Sequence, residues 1–192
     1  MSVRQQPKKQ RLAPGRSGVL DAALKLFARD GIDGVSLQQI ANSLGVTKAA
    51  VYHHFQAKAD IVLEALKPGL AILDKAVQQA EKLPAGPGQA ELIIAGLAEC
   101  IATNSRSYQV IMADSAASRI LEADPQLVSM FSRIREMLAG GRTDAQAGLA
   151  VSCFLGACLG PSLDPGFESF TAQQLHDAVI STGEAILLSR LP

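Results

Sequence analysis

Tryptophan is absent from the 192 residues, tyrosine occurs only twice, and histidine only three times. With so few histidines, His53, His54 and His176, no metal-ligand set assembles. His53 and His54 are adjacent and point apart on a helix, so no metal and no cofactor is expected. Neither HExxH nor the nucleophile-elbow pattern GxSxG occurs, and the chain is not expected to be an enzyme. The three cysteines, Cys100, Cys153 and Cys158, form neither a CxxC nor a paired framework. Reduced thiols in a cytoplasmic protein are the plain expectation. No uninterrupted apolar run approaches ~20 residues, so no membrane span is expected. The first twenty residues lack an apolar core, which argues against a secretory signal. Charged residues, at 19%, are somewhat scarce, while the 48% hydrophobic share suffices for a core without disulfides or metals.

The zero net charge conceals an asymmetry. Residues 1–60 carry nine Lys/Arg against four Asp/Glu, and residues 61–192 carry nine against fourteen. Arg4, Lys8, Lys9, Arg11 and Arg16 are accompanied by no acid in the first twenty residues. Such a division suits a chain that meets a polyanion at one end. Residues 1–12, basic and interrupted by Pro7, read as a flexible arm.

Helical periodicity begins at Arg16. Val19, Leu20, Ala23, Leu24 and Phe27 share one face, and Gly31 is placed as a left-handed stop. Ser36 and Gln39 have the spacing of a capping box for a second helix. Its stripe is Leu37, Ile40, Ala41 and Leu44, and Gly45 ends it. Thr47 caps a third short helix that runs through Phe55. Beyond it, segments 58–67 and 70–83 flank Pro68-Gly69, where a kink or break is expected. Further helices are expected at 89–104, 107–121 (with an internal break left open), 125–139, 143–160 and 171–190. Few β-branched or aromatic runs suit strands. The expected class is all-α, with about nine helices.

The stretch SLQQIANSLGVTKAAVYHHF, residues 36–55, carries the most information. Ala41 is small where two helices cross closely. Gly45 occupies a turn that needs positive φ. Val51 faces back onto Ala41. This spacing is that of a helix-turn-helix. The face opposite Val51 and Phe55 shows Lys48, Ala49, Tyr52 and His53, which is a cation, a small residue and two polar rings. A helix of about 12 Å at 1.5 Å per residue enters a DNA major groove. Thr47 at its start suits a phosphate, and Lys58 adds a cation nearby.

GVTKAAVYHHFQAKADIV, with LDAALKLFARDGIDGVSLQQIANSLG before it, closely resembles the tetracycline-repressor (TetR) family of bacterial transcriptional regulators. The resemblance covers about residues 16–65. It implies a DNA-binding domain at residues 13–73 and an effector-binding and dimerisation domain at 74–192. It further implies a homodimer on a palindromic double-stranded DNA operator, released by a small-molecule effector. Gln38, Thr47, Lys48, Ala49, Tyr52, His54 and Lys58 fall on DNA-contacting positions of the family. The helical wheel sets His54 beside Phe55, towards a phosphate, and adds His53 as a possible base reader. A transcriptional activator and a constitutive DNA binder remain open alternatives on these residues.

Residues 143–160 are rich in Gly, Ala and Ser, and the last helix is apolar over a broad side. The family resemblance implies that these last two helices pair between subunits. For an effector pocket the middle helices offer Leu97, Ile101, Tyr108, Met112, Phe131, Ile134 and Phe154, with Asn104 as a polar anchor. Arg106, Asp114 and Arg119 are further candidate anchors. With only five aromatics, the second domain is poorly equipped as an aromatic cage for large flat cations. An aliphatic or small, partly polar effector fits better.

Overall fold

The computed structural model describes residues 15–103 and 105–188. The basic arm expected at 1–12 and the candidate anchor Asn104 lie outside the described residues. Among those described, ten α-helices and one short 3₁₀ turn at Pro165–Ser169 occur, with no strand. The helices are α1 (Arg16–Gly34), α2 (Leu37–Leu44), α3 (Lys48–Tyr52), α4 (Lys58–Ala80) and α5 (Pro87–Thr103). They continue with α6 (Ser105–Met112), α7 (Ser115–Glu122), α8 (Pro125–Leu138), α9 (Ala145–Leu163) and α10 (Ala172–Ile186).

Two apolar cores form. The first joins Val19, Ala23, Phe27, Ile40, Ala41, Val51 and Phe55 of the head to Ile61, Val62 and Leu66 of α4. Ile111, Ala116, Ala117 and Leu121 from α6 and α7 complete it. The head therefore does not close its own core; it borrows side chains from the second domain. The other core, with Leu73, Ile93, Ile94, Ile134, Phe154 and Val179, holds α4, α5, α8, α9 and α10 together. Helix α4 serves both cores and is the shared axis. Helix α10 approaches α5 closely because Gly183 has no side chain. A Cβ there would sit 2.7 Å from Ile94 Cγ2.

Three boundaries differ from the sequence expectation. Gly31 has positive φ, 74°, but its ψ of 162° is not that of a left-handed cap, and helical structure resumes to Gly34. Pro68 does not break the chain into two helices, because α4 runs through it for 23 residues. Its ring lies on the exposed side while Leu66 and Gly69 face inward, so solvent takes up the missing hydrogen bond. Helix α9 likewise continues through Gly160 and Pro161 to Leu163. The break left open within 107–121 falls at Ala113-Asp114, between α6 and α7. The merger at Pro68 and the break at Ala113-Asp114 offset each other, and the described residues hold ten α-helices against the expected nine or so.

Helix α9 also corrects the reading of apolar runs. Its 19 residues carry no charge, and with a mean hydropathy of 1.4 it is long and apolar enough to cross a membrane. Interspersed Gln, Ser and Gly residues conceal this when only unbroken runs are sought. Only 28% of this stretch is buried. Gly148, Leu149, Ser152, Cys153, Gly156 and Ala157 form an exposed stripe, with Leu149 at 66%.

Candidate nucleic-acid interface and ligand cavity

The helix-turn-helix forms as its residues dictate. Ser36 accepts from the Gln39 backbone N–H, while the Gln39 side chain accepts from Ser36 N, closing the capping box. Gly45 takes φ 66°, ψ 32°, the left-handed turn conformation. Ala41 and Val51 are both fully buried. Thr47 Oγ1 accepts from Ala50 N at 3.3 Å and starts α3. Regular helix spans only Lys48–Tyr52, shorter than expected, but Phe55 N still donates to Val51 O at 3.0 Å. The helical path thus continues as a turn to the buried Phe55.

One face of α3 is turned outward. Lys48, Ala49, Tyr52 and His53 are all exposed, Tyr52 at 36%. The Lys48 ammonium lies 5.2 Å from the Tyr52 ring centroid, a cation over a π face. Gln38, on α2, is exposed and donates to Asn42 Oδ1 at 2.8 Å. His54 is half-buried behind this face, with its ring edge-on to His53 at 5.2 Å. Its half-burial agrees with the rear-edge placement from the helical wheel, but the two rings meet instead of pointing apart.

Lys58 departs from expectation. Its ammonium donates to Ile32 O at 2.6 Å and Asp33 O at 3.2 Å. It neutralises the carbonyl end of α1, as a cation at a helix C-terminus does. In this structure the ammonium thus serves the fold.

Sequence reasoning missed Arg16. Its Nη1 donates to the His54 carbonyl at 2.6 Å and its Nη2 pairs with Glu64 Oε2 at 2.8 Å. The guanidinium also lies over the Phe55 ring, 4.2 Å from its centroid. One side chain therefore ties α1, the end of α3 and α4 together. Hydrogen bonding to Arg16 holds the Glu64 carboxyl below its ordinary range. No spacing rule signals such a partner 38 residues away.

Asp114 is the second missed device. Its Oδ1 accepts from Ala116 N at 2.8 Å and caps α7. Its Oδ2 accepts from Ile32 N at 2.6 Å, across from the head. Gly31 makes room: a Cβ there would stand 3.1 Å from Asp114 Oδ2. Arg119 pairs with Asp33 beside it. The two candidate anchors Asp114 and Arg119 thus fasten the head and are not among the lining residues of the enclosed cavity between the later helices.

A cavity of about 430 Å³ lies between α4, α5, α6, the end of α7, α8 and α9. Leu97, Ile101, Tyr108, Met112, Phe131 and Ile134 line it, six of the residues expected there. Phe154 instead sits fully buried in the adjacent core. Cys100, Cys158, Glu122 and Arg135 are lining residues that sequence reasoning did not name. Tyr108 Oη donates to the Cys158 carbonyl at 3.3 Å. Burial pushes the Cys100 thiol up to about 11 and the Cys158 thiol up to about 12. The Tyr108 phenol is raised as well, chiefly by burial.

Residues 19–65 match the family model described as bacterial regulatory proteins, tetR family. The HTH-type transcriptional regulator AcrR of Shigella flexneri is 43% identical over 56 residues, which are 29% of this chain and 26% of AcrR. The negative transcriptional regulator IcaR of the icaADBC biofilm operon in Staphylococcus aureus is 39% identical over 49 residues, 26% of each chain. The chain thus aligns with about a quarter of the length of these curated relatives. Along most of its length it shares a fold with AibR, solved with isovaleryl coenzyme A and operator DNA. That match has a TM-score of 0.59 at 16% identity and covers 86% of this chain and 96% of AibR.

Proposed function

We propose, for a chain that belongs through its head to the tetR family of bacterial regulatory proteins, that it is a sequence-specific DNA-binding transcriptional repressor released by a small molecule. The exposed face of α3 carries this reading. Lys48, Tyr52 and His53 stand outward on a helix whose other side is fixed by Val51 and Phe55. Lys48 and Tyr52 reach base edges, Ala49 permits close approach, and Gln38 reads from α2. Thr47 and His54 serve the phosphates. The excess of basic residues in 1–60 adds attraction that is independent of sequence.

The exposed small-residue stripe of α9, with α10, pairs with a second copy. Such a homodimer sets two α3 helices about one DNA turn apart, ~34–36 Å, on a palindrome. Effector binding in the cavity acts on α6 and α7. Met112 and Leu121 line the cavity, and Asp114 between them grips Ile32 of α1. A shift at the cavity wall therefore pulls on the head directly. Repression accords with the negative regulation in the IcaR name. On this reading the protein works in the cytoplasm and acts by binding rather than by catalysis.

Footprinting on the DNA upstream of its own gene tests the reading. A protected inverted repeat of two half-sites one turn apart is the expected result. Uniform weak protection with no preferred site would overturn it.

A further inference from the structure

The chemical class of the cavity's ligand follows from what lines it, given the effector reading above. Leu66, Leu70, Leu73, Leu97, Leu155 and Leu159 are among its walls. Of the described lining residues only Glu122 and Arg135 bear charge, and both are exposed at the rim. Arg135 Nη2 already donates to Ser152 Oγ at 3.2 Å. The remaining polar groups are the Tyr108 hydroxyl and the thiols of Cys100 and Cys158.

These three groups probe the cavity from within. Each is pushed towards its neutral form, with desolvation the largest cause. A ligand anion placed among them meets the same loss of hydration and no described buried cation to offset it. A ligand cation meets no described buried carboxylate. Tyr108 spends its proton on the Cys158 carbonyl, so its oxygen is left to accept from a ligand hydroxyl. At about 430 Å³ the cavity lies near the lower end of ligand sites, ~300–1,000 Å³. It does not enclose a nucleotide-bearing thioester such as the ligand of AibR.

We infer that the cavity takes a small, uncharged, largely aliphatic alcohol, its hydroxyl donating to Tyr108 Oη, and rejects carboxylates, ammonium ions and coenzyme A thioesters. The test uses 1-octanol, octanoate, octylammonium and octanoyl coenzyme A as probes on the whole protein at neutral pH. Binding is measured by calorimetry and by thermal shift. Octanol is expected to bind at least tenfold more tightly than any of the three charged probes. Tyr108→Phe, which keeps the ring, is expected to weaken octanol by roughly three- to tenfold, the loss of one neutral hydrogen bond. Leu155→Trp, which fills the cavity, is expected to abolish octanol binding with the helical circular dichroism retained. Octanoate, octylammonium or the thioester binding as well as octanol would overturn the inferred class and leave the effector site standing. Octanol binding undiminished in Leu155→Trp would place the ligand elsewhere and overturn the inference. Binding of no probe at all would overturn both this inference and the reading of the cavity as an effector site.

Discussion

Replacing Asp114 with Ala removes two hydrogen bonds that do different things. One caps α7 through Ala116 N at 2.8 Å, and the other joins the second domain to the head through Ile32 N at 2.6 Å. Loss of the cap costs about 1 kcal/mol. Ile32 is only 1% exposed, so its N–H is left without an acceptor, at about 1–3 kcal/mol. The two together give about 2–4 kcal/mol. With a urea slope of ~2 kcal/mol/M, the unfolding midpoint falls by ~1–2 M. Asp124 supplies an internal control. It caps α8 through Gln126 N and Leu127 N but has no such bond to the head. Asp124→Ala should therefore cost only about 1 kcal/mol. Urea unfolding followed by circular dichroism at fixed protein concentration compares the variants. Equal losses for Asp114→Ala and Asp124→Ala would refute the assignment of a bond between the domains.

Lys58→Ala is expected to destabilise the head by about 1–2 kcal/mol, since its ammonium serves the end of α1. The salt dependence of DNA binding should stay unchanged; a flatter salt slope would return Lys58 to the phosphates. The folded thiols of Cys100 and Cys158 hold their protons above the ordinary value near 9. Stability is therefore complete below pH ~9 and is lost as pH rises through about 11 and about 12. Cys100→Ala with Cys158→Ala should flatten that alkaline loss in urea titrations; an unaltered pH slope contradicts it. Leu149→Glu puts like charges on the exposed stripe of α9 and should convert a dimer to monomer by sedimentation. A dimer that persists would move the interface off this face.

The sequence revealed what is local. The capping box at Ser36 and Gln39, the turn at Gly45, and the buried Ala41 and Val51 all follow from neighbours within six residues. The exposed quartet on α3 followed from the same periodicity, as did most of the cavity lining. What was misread depends on distant partners. Gly31 looks like a helix stop until Asp114, 83 residues on, is seen beside it. Lys58 looks like a surface cation until the carbonyls of α1 stand next to it. Pro68 and Pro161 signal breaks by local rule, yet packing elsewhere on their helices carries the chain through. The tie made by Arg16 carried no signal, because its partners His54, Phe55 and Glu64 lie far along the chain, after α3 and in α4.

The central claim is that the outward face of α3 reads DNA, and Tyr52→Ala tests it most directly. The site is first selected from a random pool by the unaltered protein, and both proteins are then titrated against that site and against random duplex. A base contact contributes ~1–3 kcal/mol, and a dimer makes it twice. Affinity for the selected site should therefore fall by ~2–6 kcal/mol, with binding to random DNA nearly unchanged because the charged contacts remain. Equal affinity of Tyr52→Ala and the unaltered protein for the selected site would contradict the account.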